Sequence, residues 1–381
     1  MLMKNCAQLR SWFITLCVIA SVQAALGGLL VVGIVPTNHQ ILLFWPSNAT
    51  TFVLQSSTNL ASTNWVFATD ALPATYGSNT AMTVTTALTA RFLRLISLPA
   101  TTPDGMALIP AGFFRMGNSI GDSDITDAKP TNVYVSAFYM DTNLLASNQW
   151  VTVYAYATNH GYGFNFPGVA KAANQPVQEV TWYDAVKLSN ARSQQAGLTP
   201  VYYTDAGMTQ VYTTGGNGTT VYANWMATGY RLPTEAEWEK AARGGLSGQR
   251  FPWGNTISET QANYNGDTNI TYDLGPDGFN PIGDYPATSP GTSPVGSFAA
   301  NGYGLYDMAG NVLEWCWDWY ATPYGQPTTD NPTGPPSGSE RVLRAGAWFF
   351  NATLARCAAR SGNYSPFTAQ NYIGFRCVRG P

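Results

Sequence analysis

Residues Asn301–Tyr320 read Asn-Gly-Tyr-Gly-Leu-Tyr-Asp-Met-Ala-Gly-Asn-Val-Leu-Glu-Trp-Cys-Trp-Asp-Trp-Tyr, and four of the last six are aromatic. Large aromatics carry much buried area each, so this end is expected in the core of the main domain. Ahead of them, Asp307 and Glu314 flank a segment containing Gly310. A carboxylate, a Gly turn and a second carboxylate can form a cage of hard oxygen ligands. Calcium takes carboxylates and backbone carbonyls together, and Gly lets the chain turn tightly around the ion. The plainer reading is two solvated acids.

The chain has 381 residues, enough for two domains and a large core. Its net charge is −3, with no basic stripe, which gives nucleic acid no footprint. Gly, Pro, Thr, Asn and aromatics suit a loop-rich, sheet-containing protein. At the N-terminus, Lys4 and Arg10 precede a short apolar run from Trp12 to Val22, and Val22-Gln23-Ala24 offers a small-residue cleavage site. This reads as a secretory signal peptide over residues 1–24, so the protein is expected to be secreted, periplasmic or at the cell surface. An uncleaved anchor is the alternative, but the run is shorter than the ~20 residues that span a bilayer. No later stretch reads as a membrane span.

Cys6 and Cys17 would leave with the leader. Cys316, Cys357 and Cys377 remain, and an odd number in an oxidising compartment allows at most one internal pair. Cys357 with Cys377 is the preferred disulfide, because both fall in predicted C-terminal strands. Cys316, set among Trp residues, reads as a small buried hydrophobe.

Between residues 26 and 100, short apolar runs alternate with Thr, Ser, Asn, Gly and Pro, the texture of a small all-β sandwich. It is similar, loosely, to the fibronectin-type sandwiches of secreted bacterial proteins. No catalytic grouping occurs there, and His39 stands alone. Pro99–Gly105 reads as a linker to a second domain over residues 105–381. There, Val133–Met140 reads as one strand. Ser147 is expected to cap a helix to about Thr158, and a second helix to run from near Thr181 to Gly197. Tyr202–Tyr222 reads as a hairpin turning at Gly215-Gly216-Asn217-Gly218. Thr234-Glu235-Ala236-Glu237 is a capping box opening a short helix to Arg243, which gives Glu235, Glu237 and Glu239 a local structural explanation. Phe251–Pro294 is almost all turn formers; a stretch so long needs something to hold it, and bound cations would serve.

Four motifs carry a family resemblance. Gly302–Trp315, Arg231–Glu239, Phe251-Pro252-Trp253-Gly254 and Ile373-Gly374-Phe375-Arg376-Cys377 stand in the order found in the sulfatase-modifying factors, the formylglycine-generating enzymes and their relatives. Met106–Gly117 resembles that family's opening strand pair. The resemblance implies an α+β, loop-rich, C-type-lectin-like fold preceded by the all-β sandwich. It also implies two calcium sites. The first would use side chains of Asn263 and Asp277 with backbone oxygens of Tyr264 and Phe279. The second would use side chains of Asp307 and Glu314 with the carbonyls of Gly310 and Val312.

The resembled enzymes bind copper through a cysteine pair and use oxygen to turn a substrate cysteine into formylglycine. Soft monovalent copper needs thiolates. In the matching interval, Arg344–Arg360, no cysteine precedes Cys357, which aligns with a structural cysteine. Copper is therefore not expected. Iron chemistry with clustered histidines is not supported either, since the chain has only His39 and His160. His160 reads as a helix-end residue, and no motif proposes a Ser-Lys pair. Trp348, Phe349, Phe350, Tyr364, Phe367 and Tyr372 surround the final strands and would line the groove that receives an extended substrate in the enzymes, with Arg360 and Asn363 as polar contacts. The resulting expectation is a secreted, calcium-stabilised pseudoenzyme that binds a peptide or glycan. The alternative is an active protein-modifying oxidoreductase using a non-standard site.

Overall fold

The short apolar runs of the N-terminal part form eight strands in two four-stranded sheets. They are β1 (Cys17–Val18), β2 (Gly33–Thr37), β3 (Gln40–Pro46), β4 (Phe52–Ser57), β5 (Val66–Phe67), β6 (Leu72–Tyr76), β7 (Asn79–Thr85) and β8 (Phe92–Ser97). One sheet runs β2-β3-β7-β6, antiparallel throughout, and the other β1-β8-β4-β5. Two residues of the expected leader thus pair in parallel with β8. The structure, a computed structural model, describes these strands and residues 102–381, apart from 217, 282–290, 323 and 325–328. The rest of the leader, His39, residues 99–101 of the linker and Asn217 of the expected turn lie outside the described residues. By its contacts the chain divides into two units, Met1–Thr101 and Thr102–Pro381.

The second unit mixes helices with short strands. Its first two strands, β9 (Met106–Ile109) and β10 (Gly112–Met116), do not pair with each other as expected. β9 pairs with β12 (Phe138–Asp141), and β10 with β11 (Thr131–Val135). A two-residue hairpin needs left-handed backbone at its turn, which Pro110-Ala111 does not supply. The single strand expected over Val133–Met140 is likewise two strands in different sheets. They separate at Ser136, whose N–H leaves the ladder for Asn331 Oδ1 at 2.7 Å.

Helix α1 (Ser147–Asn159) begins one residue earlier than expected: Ala146 is its cap, and the Ala146 N–H donates to Gln149 Oε1 at 3.3 Å. Helix α2 (Trp182–Gln195) starts near Thr181 as expected, and α3 (Glu235–Ala242) starts at its predicted cap. Thr181 Oγ1 accepts the Asp184 N–H at 3.0 Å, and Thr234 Oγ1 accepts the Glu237 N–H at 3.2 Å. Between them, β13 (Tyr202–Tyr203) and β14 (Tyr222–Ala223) close the predicted hairpin. The turn-rich segment holds one two-residue pair, β15 (Asn265–Gly266) with β16 (Gly278–Phe279).

The aromatic stretch forms the central strand, β17 (Leu313–Trp319), between β18 (Arg341–Arg344) and β19 (Ile373–Gly374). β20 (Val378–Arg379) pairs with β12. Strand side chains alternate between faces. Leu313 and Trp315 enter one core cluster, with α1 and α2, and Trp317 packs against it. Glu314, Cys316 and Asp318 face the other way, and Cys316 joins a second cluster with α3. This division removes the expected disulfide. Cys377 lies in the α2 cluster, 3.5 Å from Ser189 Oγ, whereas Cys357 lies in the α3 cluster; both are free.

Candidate functional site

The polar face of β17 meets α3 in a buried ionic lattice. Glu235 and Glu239 are one turn apart and share a helix face. Arg344 bridges them, Nη1 to Glu235 at 2.7 Å and Nη2 to Glu239 at 2.8 Å. Arg360 forks onto Glu235 at 2.5 and 2.9 Å, and Arg243 reaches Glu239 at 2.7 Å. Burial raises the Glu239 carboxyl, but Arg243, Arg344 and the Gly117 N–H outweigh it and hold the group below its ordinary range. Asp318 differs. Its Oδ2 accepts the Glu235 N–H at 2.8 Å, its Oδ1 has no partner, and burial with nearby Glu235 pushes it up to about 8. The capping box explains where α3 starts; these long-range ion pairs explain its acids.

The second set of expected calcium ligands lies at the start of β17. Arg376 forks onto Glu314 at 2.7 and 3.0 Å. Asp307 accepts the Gly296 N–H at 2.8 Å and the Asn311 Nδ2 at 3.3 Å. Both carboxyls are raised by burial; Arg376 opposes this in each case. Asp307, Gly310 and Asn311 all take positive φ, so the turn is wound by backbone as much as by side chains. A Cβ on Gly310 would sit 2.3 Å from the Asn263 carbonyl oxygen, a contact only glycine allows. That approach brings the two ligand sets together: the Asn263 carbonyl accepts the Asn311 N–H at 2.7 Å. In the first set, Asn263 and Tyr264 are buried and Phe279 pairs across to Asn265, while Asp277 sits on an exposed turn and accepts the Thr268 N–H at 2.6 Å. Among the described residues no three His, Cys, Asp or Glu side chains converge on one point, so any ion here would depend on backbone oxygens.

The interval expected to hold a copper pair is a tight loop after β18. Ala345 and Gly346 turn it with φ of +85° and +70°. Cys316, Cys357 and Cys377 are all fully buried. Burial pushes Cys357 up to about 12 and Cys377 up to about 11, and raises Cys316 well above the usual thiol range. A protonated, inaccessible thiol is neither a metal ligand nor a nucleophile. The residues present do not fit copper. His160 caps α1 and stacks on Tyr156 at 3.9 Å, as a helix-end residue should.

Four of the expected groove residues form one aromatic face. Phe349 is 49 % exposed and stacks on Tyr372 at 6.0 Å; Phe350 and Trp348 meet Phe349 edge-on at 5.5 and 5.6 Å. Phe279 joins at 5.8 Å from Trp348. Asn363 is exposed nearby in sequence, while Phe367 pairs with Phe166 instead. Arg360 is not a groove contact. Its side chain is 1 % exposed and committed to Glu235, at the edge of a polar cavity of about 870 Å³ that Asp127, Tyr320 and Thr322 also line.

A sulfatase-modifying factor enzyme 1-like domain matches residues 94–381. The chain belongs to this family. It is 34 % identical over 316 residues to the formylglycine-generating enzyme of Bos taurus, covering 76 % of this chain and 80 % of that protein. Against the formylglycine-generating enzyme of Thermomonospora curvata it is 34 % identical over 305 residues, 74 % of this chain and 96 % of that one. Among solved structures it is similar to Treponema denticola variable protein 1, with TM-score 0.55 and 27 % identity over 82 % of this chain and 99 % of that one. CarF gives TM-score 0.55 and 26 % identity over 73 % of this chain and 99 % of that one. The α+β, loop-rich, C-type-lectin-like fold class follows.

Within this sulfatase-modifying-factor fold, the residues that motif reading missed are arginines. Arg344 and Arg376 are 1 % and 0 % exposed, and each anchors acids far away in sequence. The available signal was an arginine set among apolar neighbours, in Val342-Leu343-Arg344-Ala345 and Gly374-Phe375-Arg376-Cys377. A buried guanidinium needs acceptors, but the sequence does not say which residues supply them.

Proposed function

We propose that this family member is a binding module without the oxygen-dependent cysteine chemistry, and that it takes an extended peptide or glycan on the aromatic face around Phe349. One observation carries the reading: the three thiols of the second unit are fully buried, two in one core cluster and one in the other. Cys377 lies in a different cluster from Cys316 and Cys357, and none of the three is exposed to a substrate thiol. Rings such as Phe349 and Tyr372 remain open to a ligand, and they offer stacking surfaces. The leader-like N-terminus adds export to this reading.

Copper-loaded protein incubated with oxygen and a cysteine-containing sulfatase peptide is expected to leave the peptide mass unchanged. A product lighter by the conversion of cysteine to formylglycine would overturn the proposal and favour the oxidoreductase reading that the identity to formylglycine-generating enzymes supports. Binding itself is tested by Phe349→Ala, an exposed change that should weaken ligand capture and leave folding intact.

Calcium is part of the same proposal. Glu314 is forked by Arg376, whereas the buried Asp307 carboxylate has no cation in hydrogen-bonding contact, only the Gly296 N–H and Asn311 Nδ2. The carbonyls of Gly310 and Val312 accept no backbone N–H among the described residues. A hard divalent cation would satisfy both deficits, with Asp307, Glu314, Gly310 and Val312 as its holders, and would tie the turn-rich segment to the sheet. At a hundredfold excess over Kd such an ion stabilises by ~2.7 kcal/mol, so a chelator should lower Tm by roughly 5 °C or more. Asp277→Ala, on its exposed turn, should reduce the calcium count by one. Chelator-insensitive melting, with no calcium in the purified protein by elemental analysis, would refute this.

A further inference from the structure

Arg341 opens β18 and is 3 % exposed. Its guanidinium is clamped between two indoles, 3.7 Å from the Trp182 ring and 3.4 Å from the Trp319 ring. A β-bulge makes room for it. Trp315 pairs with Leu343 and Trp319 with Arg341, so Cys316, Trp317 and Asp318 stand opposite Val342 alone. The bulge frees the Trp317 carbonyl, which accepts Arg341 Nη1. That is the only side-chain hydrogen bond Arg341 makes among the described residues. Nε is buried without a partner, and Nη2 has none either but keeps contact with solvent. Asp318, the nearest acid in β17, gives its carboxyl to the Glu235 N–H on the other face. The other buried arginines among the described residues, Arg243, Arg344, Arg356 and Arg376, each hold a carboxylate.

We propose that Arg341, through its solvent-facing Nη2, is a seat for the carboxylate of an acidic peptide, bound against the indoles beside it. A guanidinium N–H donates a charge-assisted hydrogen bond to a carboxylate oxygen. Here the guanidinium is held flat by rings above and below, so little freedom is lost when it is used. The surroundings favour a peptide over a sugar. Trp317 is half-buried, stacks on Tyr202 at 5.4 Å and meets the 40 % exposed Trp225 edge-on at 5.5 Å. The indole N–H groups of Trp225, Trp317 and Trp319 have no acceptor among the described residues. Guanidinium and indole N–H are donors only. Carboxylates and peptide carbonyls are acceptors and match such a rim; sugar hydroxyls would bring protons that find no acceptor there. This seat does not depend on the Phe349 face, and either can fail without the other.

The test follows the Arg341 side-chain Nε–H resonance in the full-length, ¹⁵N-arginine-labelled protein. It is assigned by its loss in Arg341→Lys, which keeps the charge and removes the guanidinium. The probes are the blocked tripeptides acetyl-Ala-Glu-Phe-amide and acetyl-Ala-Gln-Phe-amide, galacturonic acid and acetate. The expected result is a saturable shift with the Glu peptide, a response about tenfold weaker with the Gln peptide, and weaker responses still with galacturonic acid and acetate. Trp225→Ala, at an exposed rim position, should weaken Glu-peptide binding several-fold with unchanged melting, which keeps the test open if the Lys variant does not fold. No shift, an equal response to the Gln peptide, or galacturonic acid or acetate matching the Glu peptide would overturn the proposal.

Discussion

Glu235→Ala is expected to cost the second unit about 3–5 kcal/mol, the usual result of deleting one partner of a buried ion pair. Local structure alone predicts almost the opposite. Glu235 is the first residue of α3, alanine is the best helix former, and an acid there contributes only ~0.3–1 kcal/mol through the helix dipole. The larger figure comes from what the carboxylate holds. Glu235 is 1 % exposed and accepts hydrogen bonds from both Arg344 and Arg360. Removing it leaves two buried guanidiniums with one fewer acid between them. Glu239 still serves Arg344, but among the described residues Arg360 keeps the Ala321 and Asp127 carbonyls and a long contact to the Asp127 carboxylate. Glu235→Gln should fall in between, keeping volume and one acceptor while losing charge. Urea unfolding of the three proteins checks this through the midpoint at unchanged m. A loss below about 1 kcal/mol for Glu235→Ala would mean the pair is solvated like a surface bridge.

Asp318→Asn is expected to stabilise the protein at neutral pH and to remove a pH dependence. The Asp318 carboxyl is pushed from the ordinary 3.8 up to about 8 by burial and by Glu235. In the folded state it therefore keeps its proton through neutrality, while the unfolded chain loses it above about pH 4. The folded form binds more protons between these values. Stability contributed by this group is present below about pH 4, declines as pH rises toward 8, and is flat beyond. One group gives a slope of at most ~1.4 kcal/mol per pH unit, so the loss amounts to a few kcal/mol by neutrality. Asparagine keeps an oxygen for the Glu235 N–H and cannot ionise. Asp307 and Glu314 are also raised, so the informative quantity is wild type minus variant. Urea midpoints at pH 5 and pH 7 should diverge between the two proteins, with the variant favoured at pH 7. Parallel pH profiles would show that Asp318 is ionised in the fold.

The carboxylates illustrate how much was legible in advance. Thr234 and Glu237 are partners three residues apart, and that cap formed where the spacing places it; α2 starts near Thr181 as expected, closed by the same kind of pair with Asp184. Of the aromatic end of Asn301–Tyr320, Trp315 is fully buried as expected, while Trp317, Trp319 and Tyr320 are half-buried. The same carboxylates were misjudged wherever their partner is distant. Glu235 meets Arg344 and Arg360, more than a hundred residues on, and no local pattern announces that meeting. Arg360 was assigned to a groove for want of that information.

The sequence by itself determined the start of α2 and the cap of α3, the hairpin between them, and the burial of Trp315. It also determined, through its composition between Arg344 and Arg360, that no cysteine pair stands in that loop. Each of these depends on neighbours along the chain or on residue type. Only the tertiary structure decided that β9 and β10 join different sheets, that Cys357 and Cys377 lie in separate clusters, and that Arg341 is left without an acid. Those outcomes depend on which face of β17 an element packs against. That choice is made by burial summed over whole elements, and a period-two strand offers both faces equally until its neighbours are in place.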